Sequence, residues 1–69
     1  MALDPNMTPV EVLRLALEKE KQALAFYMEA AEHCHHPATR ATFLEMAEEE
    51  KSHMRRIEED LDRYFYQDN

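Results

Sequence analysis

Three polar side chains interrupt the apolar positions of an otherwise periodic sequence: Glu20, Glu50 and His53. A carboxylate is costly to bury unless a partner or a ligand compensates its charge. Glu50 and His53 are three residues apart, and this spacing places both groups on one face of a helix. Carboxylates and imidazoles are ligands of divalent cations, so these three residues are the candidate metal ligands. Iron and manganese suit this donor set best, and zinc is an alternative.

The first element that positions them is a helix predicted over about residues 9–34. Thr8 is a suitable N-cap, Pro9 fits the first helical position, and Glu11 has the spacing of a capping box. Glu20 takes the one missing place in a stripe with the period of a helix face. The apolar members of that stripe are Val10, Leu13, Leu17, Leu24, Tyr27, Ala31 and Cys34.

The second element is a helix predicted over about residues 38–65. Pro37 disfavours helix at the residue before it and suits the start of a new helix. Glu50 and His53 fall inside the second stripe, whose apolar members are Phe43, Met46, Ala47, Met54, Ile57, Leu61, Tyr64 and Phe65. Because the connection is short, we expect an all-α, antiparallel two-helix hairpin that forms a single domain over residues 1–69.

The three candidate ligands lie at one height in that hairpin. If the turn is centred near His36, Glu20 is 16 residues before it, and Glu50 and His53 are 14 and 17 residues after it. Across the hairpin, the level of Glu20 differs from those of Glu50 and His53 by two residues at most, or about 3 Å of helix rise. We therefore expect two carboxylates and one imidazole to converge on the groove between the helices.

Two helices alone cannot enclose a core, so each hairpin leaves an apolar groove open. We expect two hairpins to pair as a four-helix bundle, in a homodimer or a larger even-numbered assembly. A two-fold axis across the groove would bring together four carboxylates and two imidazoles from Glu20, Glu50 and His53. The four negative charges would balance two divalent cations, which predicts two metal ions per dimer, with iron as the leading candidate.

Two segments carry a family resemblance: Ala25-Phe26-Tyr27, and Ala47-Glu48-Glu49-Glu50-Lys51-Ser52-His53. Together with Glu20 they resemble the rubrerythrin branch of the ferritin-like superfamily over about residues 10–65. The usual family domain has four helices in one chain, so this chain resembles half of one. A single hairpin that assembles through subunits is also similar to the encapsulated ferritins. The resemblance implies terminal ligands at Glu20 and His53 and a bridging ligand at Glu50.

The resemblance also implies a reaction, in which bound ferrous iron is oxidised by oxygen or peroxide, as in a ferroxidase or a peroxidase. Rubrerythrins carry a rubredoxin domain with paired Cys-x-x-Cys motifs, whereas Cys34 is the only cysteine here. A peroxidase built on this chain would therefore need an external electron donor. Two alternatives remain: a metal-binding module without turnover, and a structural dimerisation module whose polar core residues only fix the helix register.

Two further features have two interpretations each. The resemblance implies that Tyr27 bonds a ligand carboxylate, but a tyrosine on a helix stripe can also serve as packing alone. The segment His33-Cys34-His35-His36 suggests a second metal site, but histidines at a helix C-terminus also complement the helix dipole.

Charge and hydropathy exclude several other classes of function. The 69 residues carry a net charge of -7. This disfavours nucleic acid as a partner, because the negatively charged phosphates of its backbone bind to positively charged surfaces. No apolar run approaches the ~18 residues of a membrane span, so no membrane association is expected. The free thiol, the acidic composition and the lack of a visible export signal favour the cytoplasm.

Overall fold

The computed structural model describes the backbone of residues 3–67 and the side chains of residues 3–64. Two helices follow one another, α1 (Pro9–His33) and α2 (Pro37–Gln67), and they pack against each other as a hairpin. No strand occurs within the described residues. The prediction of an all-α hairpin is therefore confirmed.

The start of α1 follows the predicted capping chemistry. Thr8 has an extended backbone, and its Oγ1 accepts the backbone N–H of Glu11 at 3.2 Å. The Thr8 hydroxyl also lies 3.2 Å from Oε1 of Glu11, to which it donates. The Glu11 carboxylate thus meets the capping hydroxyl rather than the backbone N–H that a reciprocal capping box would use.

The turn between the helices keeps its predicted length of three residues but lies one residue earlier in the chain than predicted. Cys34 is the C-cap of α1 and has an extended backbone, so α1 ends at His33 instead of residue 34. Pro37 is itself the first residue of α2, because its fixed φ already suits a helix. His36 caps this start through Nδ1, which accepts the backbone N–H of Thr39 at 3.4 Å. At the far end α2 continues to Gln67, two residues past the predicted end, and Asp68 and Asn69 lie outside the described residues.

The fully buried side chains between the two helices are small. Ala31 of α1 and Ala47 of α2 are the buried hydrophobic residues of the described chain. The molecule measures 49 × 26 × 12 Å, so its thinnest dimension is that of one layer of helices. A single layer has no enclosed core, and most of the apolar stripe residues are only half-buried as a consequence.

Neither helix in the described part of the chain has an apolar stretch long enough to cross a membrane. The pairing of two hairpins into a four-helix bundle remains a prediction at this point.

Candidate metal centre

The three candidate ligands converge although they come from two helices. His53 Nδ1 lies 3.3 Å from Oε2 of Glu20 across the hairpin and 3.7 Å from Oε2 of Glu50 on its own helix. One ligand atom from each of the three residues can be chosen so that all lie within 4.8 Å of one another. The predicted convergence of these side chains at one height is therefore present in the hairpin.

The geometry fits a divalent cation. Ligand atoms about 2.1 Å from one ion lie at most about 4.2 Å apart, so donors spread over this distance need only small side-chain shifts. Two carboxylates and one imidazole are also the chemistry that iron and manganese accept. Among the described residues, Glu20, Glu50 and His53 form the one group of three or more acidic, histidine or cysteine side chains close enough to hold a metal.

The surroundings leave both carboxylates without a basic side chain. The ion pairs made by lysine or arginine in residues 3–64 are Lys51–Glu48 and Arg63–Asp60, and both lie outside the group. His53 is the group's own partner, and it offsets the carboxylate charge only when it is protonated. A bound cation would supply the missing positive charge at this point.

The exposure of the ligands shows that the group faces outward. The Glu50 side chain is 15% exposed and that of Glu20 is 27% exposed, whereas that of His53 is 57% exposed. The carboxylates thus lie in the groove, and the imidazole reaches toward one open face of the hairpin. One chain supplies three donors, which leaves positions around an ion for water or for a second chain.

Helix geometry identifies which face this is. His53 follows Leu44 by nine residues, or half a turn, so these two side chains leave α2 in opposite directions. Phe26 and Met28 of α1 likewise diverge by about 200°. Met28 and Leu44 line the same cavity on one side of the hairpin, so Phe26 and His53 lie on the other. We call the side of Phe26 and His53 the metal face, and that of Met28 and Leu44 the back face.

Tyr27 is placed by aromatic packing. Its ring stacks on Phe43 of α2 at a centroid distance of 6.4 Å and meets the edge of Phe26 at 5.5 Å. None of the hydrogen bonds found among the described residues involves the Tyr27 hydroxyl. Within one chain Tyr27 therefore serves in aromatic packing. A hydrogen bond from its hydroxyl to a ligand carboxylate remains a prediction.

The turn histidines are organised for capping. His36 Nδ1 contacts both the backbone N–H and the hydroxyl of Thr39, at 3.4 Å and 3.2 Å. Cys34 is a free thiol whose Sγ lies 3.8 Å from the carbonyl oxygen of His36. In the described chain no group of three possible metal ligands includes residues of this segment. The structure therefore favours the interpretation in which these histidines form a polar helix end, rather than a second metal site.

Sequence reasoning overlooked a second apolar stripe on α1. Val12, Leu15 and Phe26 follow one another at helical spacing beside the stripe that holds Glu20, and residue Phe26 is 62% exposed. The signal was present in the spacing, because a helix that packs on two neighbours has an apolar face wider than one stripe.

Comparisons with known proteins add a family to this geometry. The searches of curated proteins and of solved structures found no match. The rubrerythrin family model matches residues 11–69, a range that includes all three clustered ligands. Since this match spans most of the chain, the hairpin belongs to the rubrerythrin family, and the resemblance noted in its sequence is confirmed.

Proposed function

We propose that two copies of the hairpin pair through their metal faces and hold two metal ions between them. Glu20, Glu50 and His53 of each copy would be the ligands. The observation that carries the proposal is the convergence of three donors from both helices on a face that a single layer leaves open. The rubrerythrin family match supports iron as the metal.

The chain contributes charge and orientation to this centre. In a pair of hairpins the Glu20 and Glu50 carboxylates supply four negative charges, which two divalent cations neutralise. A metal would bind Nδ1 of His53 only in the neutral tautomer that carries its proton on Nε2, and Oε2 of Glu20 lies 3.3 Å from that nitrogen, close enough to bind the same ion. Iron bound at this centre would supply the redox chemistry: its ferrous form would be oxidised to ferric iron, with oxygen or peroxide as the oxidant.

Other residues of the chain limit what the centre can do. Cys34 is the only cysteine, so this chain has no paired thiols to relay electrons. A ferroxidase needs no relay, because iron is its substrate, whereas a peroxidase would draw on an external electron donor. We propose the cytoplasm as the compartment, because reducing conditions keep both the Cys34 thiol and ferrous iron available.

A second candidate function rests on the contact between His53 and Glu20. At 3.3 Å these groups satisfy one another without a metal, as they would in a structural dimerisation module. A third possibility is a module that binds metal through the same three ligands but does not catalyse its oxidation. Glu20 and Glu50 share the single imidazole of His53, and this favours the metal centre. In a purely structural module the charge of one of these carboxylates would have no positive partner.

The experiment compares ligand variants with a matched control. Glu50→Ala and His53→Ala should each abolish most iron binding and the oxidation of added ferrous iron by oxygen. Glu45→Ala removes an exposed glutamate from the solvent side of α2 and should leave both unchanged. Unchanged metal content in Glu50→Ala and His53→Ala would overturn the metal centre, whereas binding without oxidation would leave the non-catalytic module.

A further inference from the structure

His36 organises the turn between the two helices with both its side chain and its backbone. Its Nδ1 atom faces two donors of Thr39, the backbone N–H at 3.4 Å and the hydroxyl at 3.2 Å. Its carbonyl oxygen accepts the backbone N–H of Arg40 at 2.9 Å, the bond with which α2 begins. The same carbonyl oxygen accepts a hydrogen bond from the Cys34 thiol, whose Sγ lies 3.8 Å away. One residue thus connects the first turn of α2 to the C-cap of α1.

The cap at Thr39 requires a neutral imidazole. Nδ1 of His36 accepts a hydrogen bond through its lone pair, and a proton on this nitrogen makes it a donor instead. The Thr39 N–H would then face another N–H group and lose its acceptor, which is the loss of an N-cap. The imidazolium charge would also stand at the N-terminus of α2, where the helix dipole disfavours a cation. Protonation of His36 therefore opposes the start of α2 in two ways.

The charges around His36 do not compensate its protonation. The first turn of α2 contains no acidic residue, and Arg40 at the start of the next turn adds a positive charge. Among the described residues the ion pairs made by histidine all belong to His53, so no carboxylate there pairs with His36. The other titratable groups near the turn are His33, Cys34 and His35, and, from α1, Glu29 and Glu32, which line a cavity with Arg40.

We propose that His36 makes the turn of the hairpin sensitive to pH. With a neutral imidazole the turn is closed. Protonation opens the first turn of α2, and the Cys34 thiol then loses the carbonyl oxygen that the Arg40 N–H holds in place. The three candidate metal ligands are 14 or more residues away in the chain, so this inference goes beyond the proposed function and does not depend on it.

The direction of the effect follows from which form makes the bonds. Histidine is the side chain whose charge changes between about pH 5 and 8. In the folded chain only neutral His36 caps α2, whereas water solvates both forms in the unfolded chain. The stability that the cap contributes is therefore complete at the alkaline end of this range and is lost as the pH falls.

His36→Asn tests the proposal, because the asparagine side chain caps a helix without a titrating group. We expect the melting temperature of the variant, relative to the wild type, to rise by about 4–8 °C between about pH 8 and pH 5. This is the effect of one lost cap in a chain of this size. Thermal unfolding of the full chain, followed by circular dichroism in chelator at one protein concentration, measures it.

His35→Asn is the matched control. His35 is an exposed histidine of the same turn, and its side chain takes part in none of the hydrogen bonds found among the described residues. The melting temperature of this variant relative to the wild type should be the same at both pH values. A difference for His36→Asn that does not change with pH, or one that His35→Asn reproduces, would overturn the proposal.

The Cys34 thiol reports the opening of the turn directly. Its rate of reaction with dithiodipyridine, an aromatic disulfide, should be about five-fold higher in the wild type than in His36→Asn at about pH 5, the change that one lost cap allows. His35→Asn should react as fast as the wild type, which separates opening from the effect of a nearby imidazolium on the thiol. Equal rates in the wild type and His36→Asn, or equal slowing by both substitutions, would contradict the opening of the turn.

Discussion

Nδ1 of His53 lies 3.3 Å from Oε2 of Glu20, although the two residues are 33 positions apart in the chain. This contact joins the two helices at the height of the ligand group, and Glu50 lies beside it on α2. It is therefore consistent with the register that apolar packing gives α1 against α2 at the place where the metal would bind. It also means that either function, metal binding or structural pairing, begins from the same local geometry.

Glu50→Gln separates those two functions through stability. In a metal-free dimer the clustered carboxylates repel one another, so the neutral amide should raise the melting temperature in the presence of a chelator. We expect a gain of about 1 kcal/mol, which corresponds to ~4–8 °C for a chain of this size. Thermal unfolding followed by circular dichroism measures it.

Glu45→Gln is the control for that substitution, because it removes the same charge from an exposed position on the solvent side of α2. It should change the melting temperature much less. A structural module predicts the opposite sign at residue 50, since breaking a compensated ion pair costs stability. A lower melting temperature for Glu50→Gln would therefore argue against a metal centre.

Tyr27→Phe tests the predicted bond between the Tyr27 hydroxyl and a ligand carboxylate. The ring stacked on Phe43 is retained, so the free energy of unfolding should change by less than about 0.5 kcal/mol. If the hydroxyl orients a ligand, the affinity for iron should fall about 10-fold or more, as measured by competition with a chromogenic chelator. Equal affinities in the two proteins would leave Tyr27 with packing alone.

Thr8→Ala tests the cap at the start of α1. The substitution leaves the Glu11 backbone N–H without its acceptor and should cost about 1 kcal/mol in urea unfolding. Thr8→Ser keeps the hydroxyl and should restore most of that loss. Because the cap is remote from the ligand group, metal content per folded chain should be the same in all three proteins, and a parallel loss of metal would contradict this separation.

Metal removal should lower stability in a concentration-dependent way. A ligand that binds only the folded dimer stabilises it by about 2.7 kcal/mol when its concentration is one hundred times its dissociation constant. We expect the melting temperature to rise with added manganese and to fall again with chelator. His53→Ala should abolish this dependence, whereas a dependence that survives in His53→Ala would place the binding metal elsewhere.

The hairpin and its ligand group were predictable because their signals are local. The period of the stripes defined both helices, and Thr8 and Pro37 marked their starts. Counting residues from the turn placed Glu20 at the level of Glu50, and their cluster with His53 follows from that register. The helix ends at His33 and Gln67 were missed by one and two residues, because capping there depends on backbone conformation rather than on side-chain type.

Other features of the site depend on the angle at which the helices pack, which spacing alone does not supply. The exposure of Phe26, and the cavity of about 280 Å³ beside Val12 and Leu15, could be recognised only once the position of α2 on one side of α1 was known. The outward position of His53 has the same origin, because the stripe predicts that it faces the groove but not how far the groove is open.

The most direct test of the metal centre is the metal content of the purified protein, taken with its mass from light scattering across a sizing column. The account predicts about one iron or manganese ion per chain, in a dimer or a larger even-numbered assembly. A stable dimer that takes up neither iron nor manganese under anaerobic conditions would contradict it, and Glu20, Glu50 and His53 would then be structural.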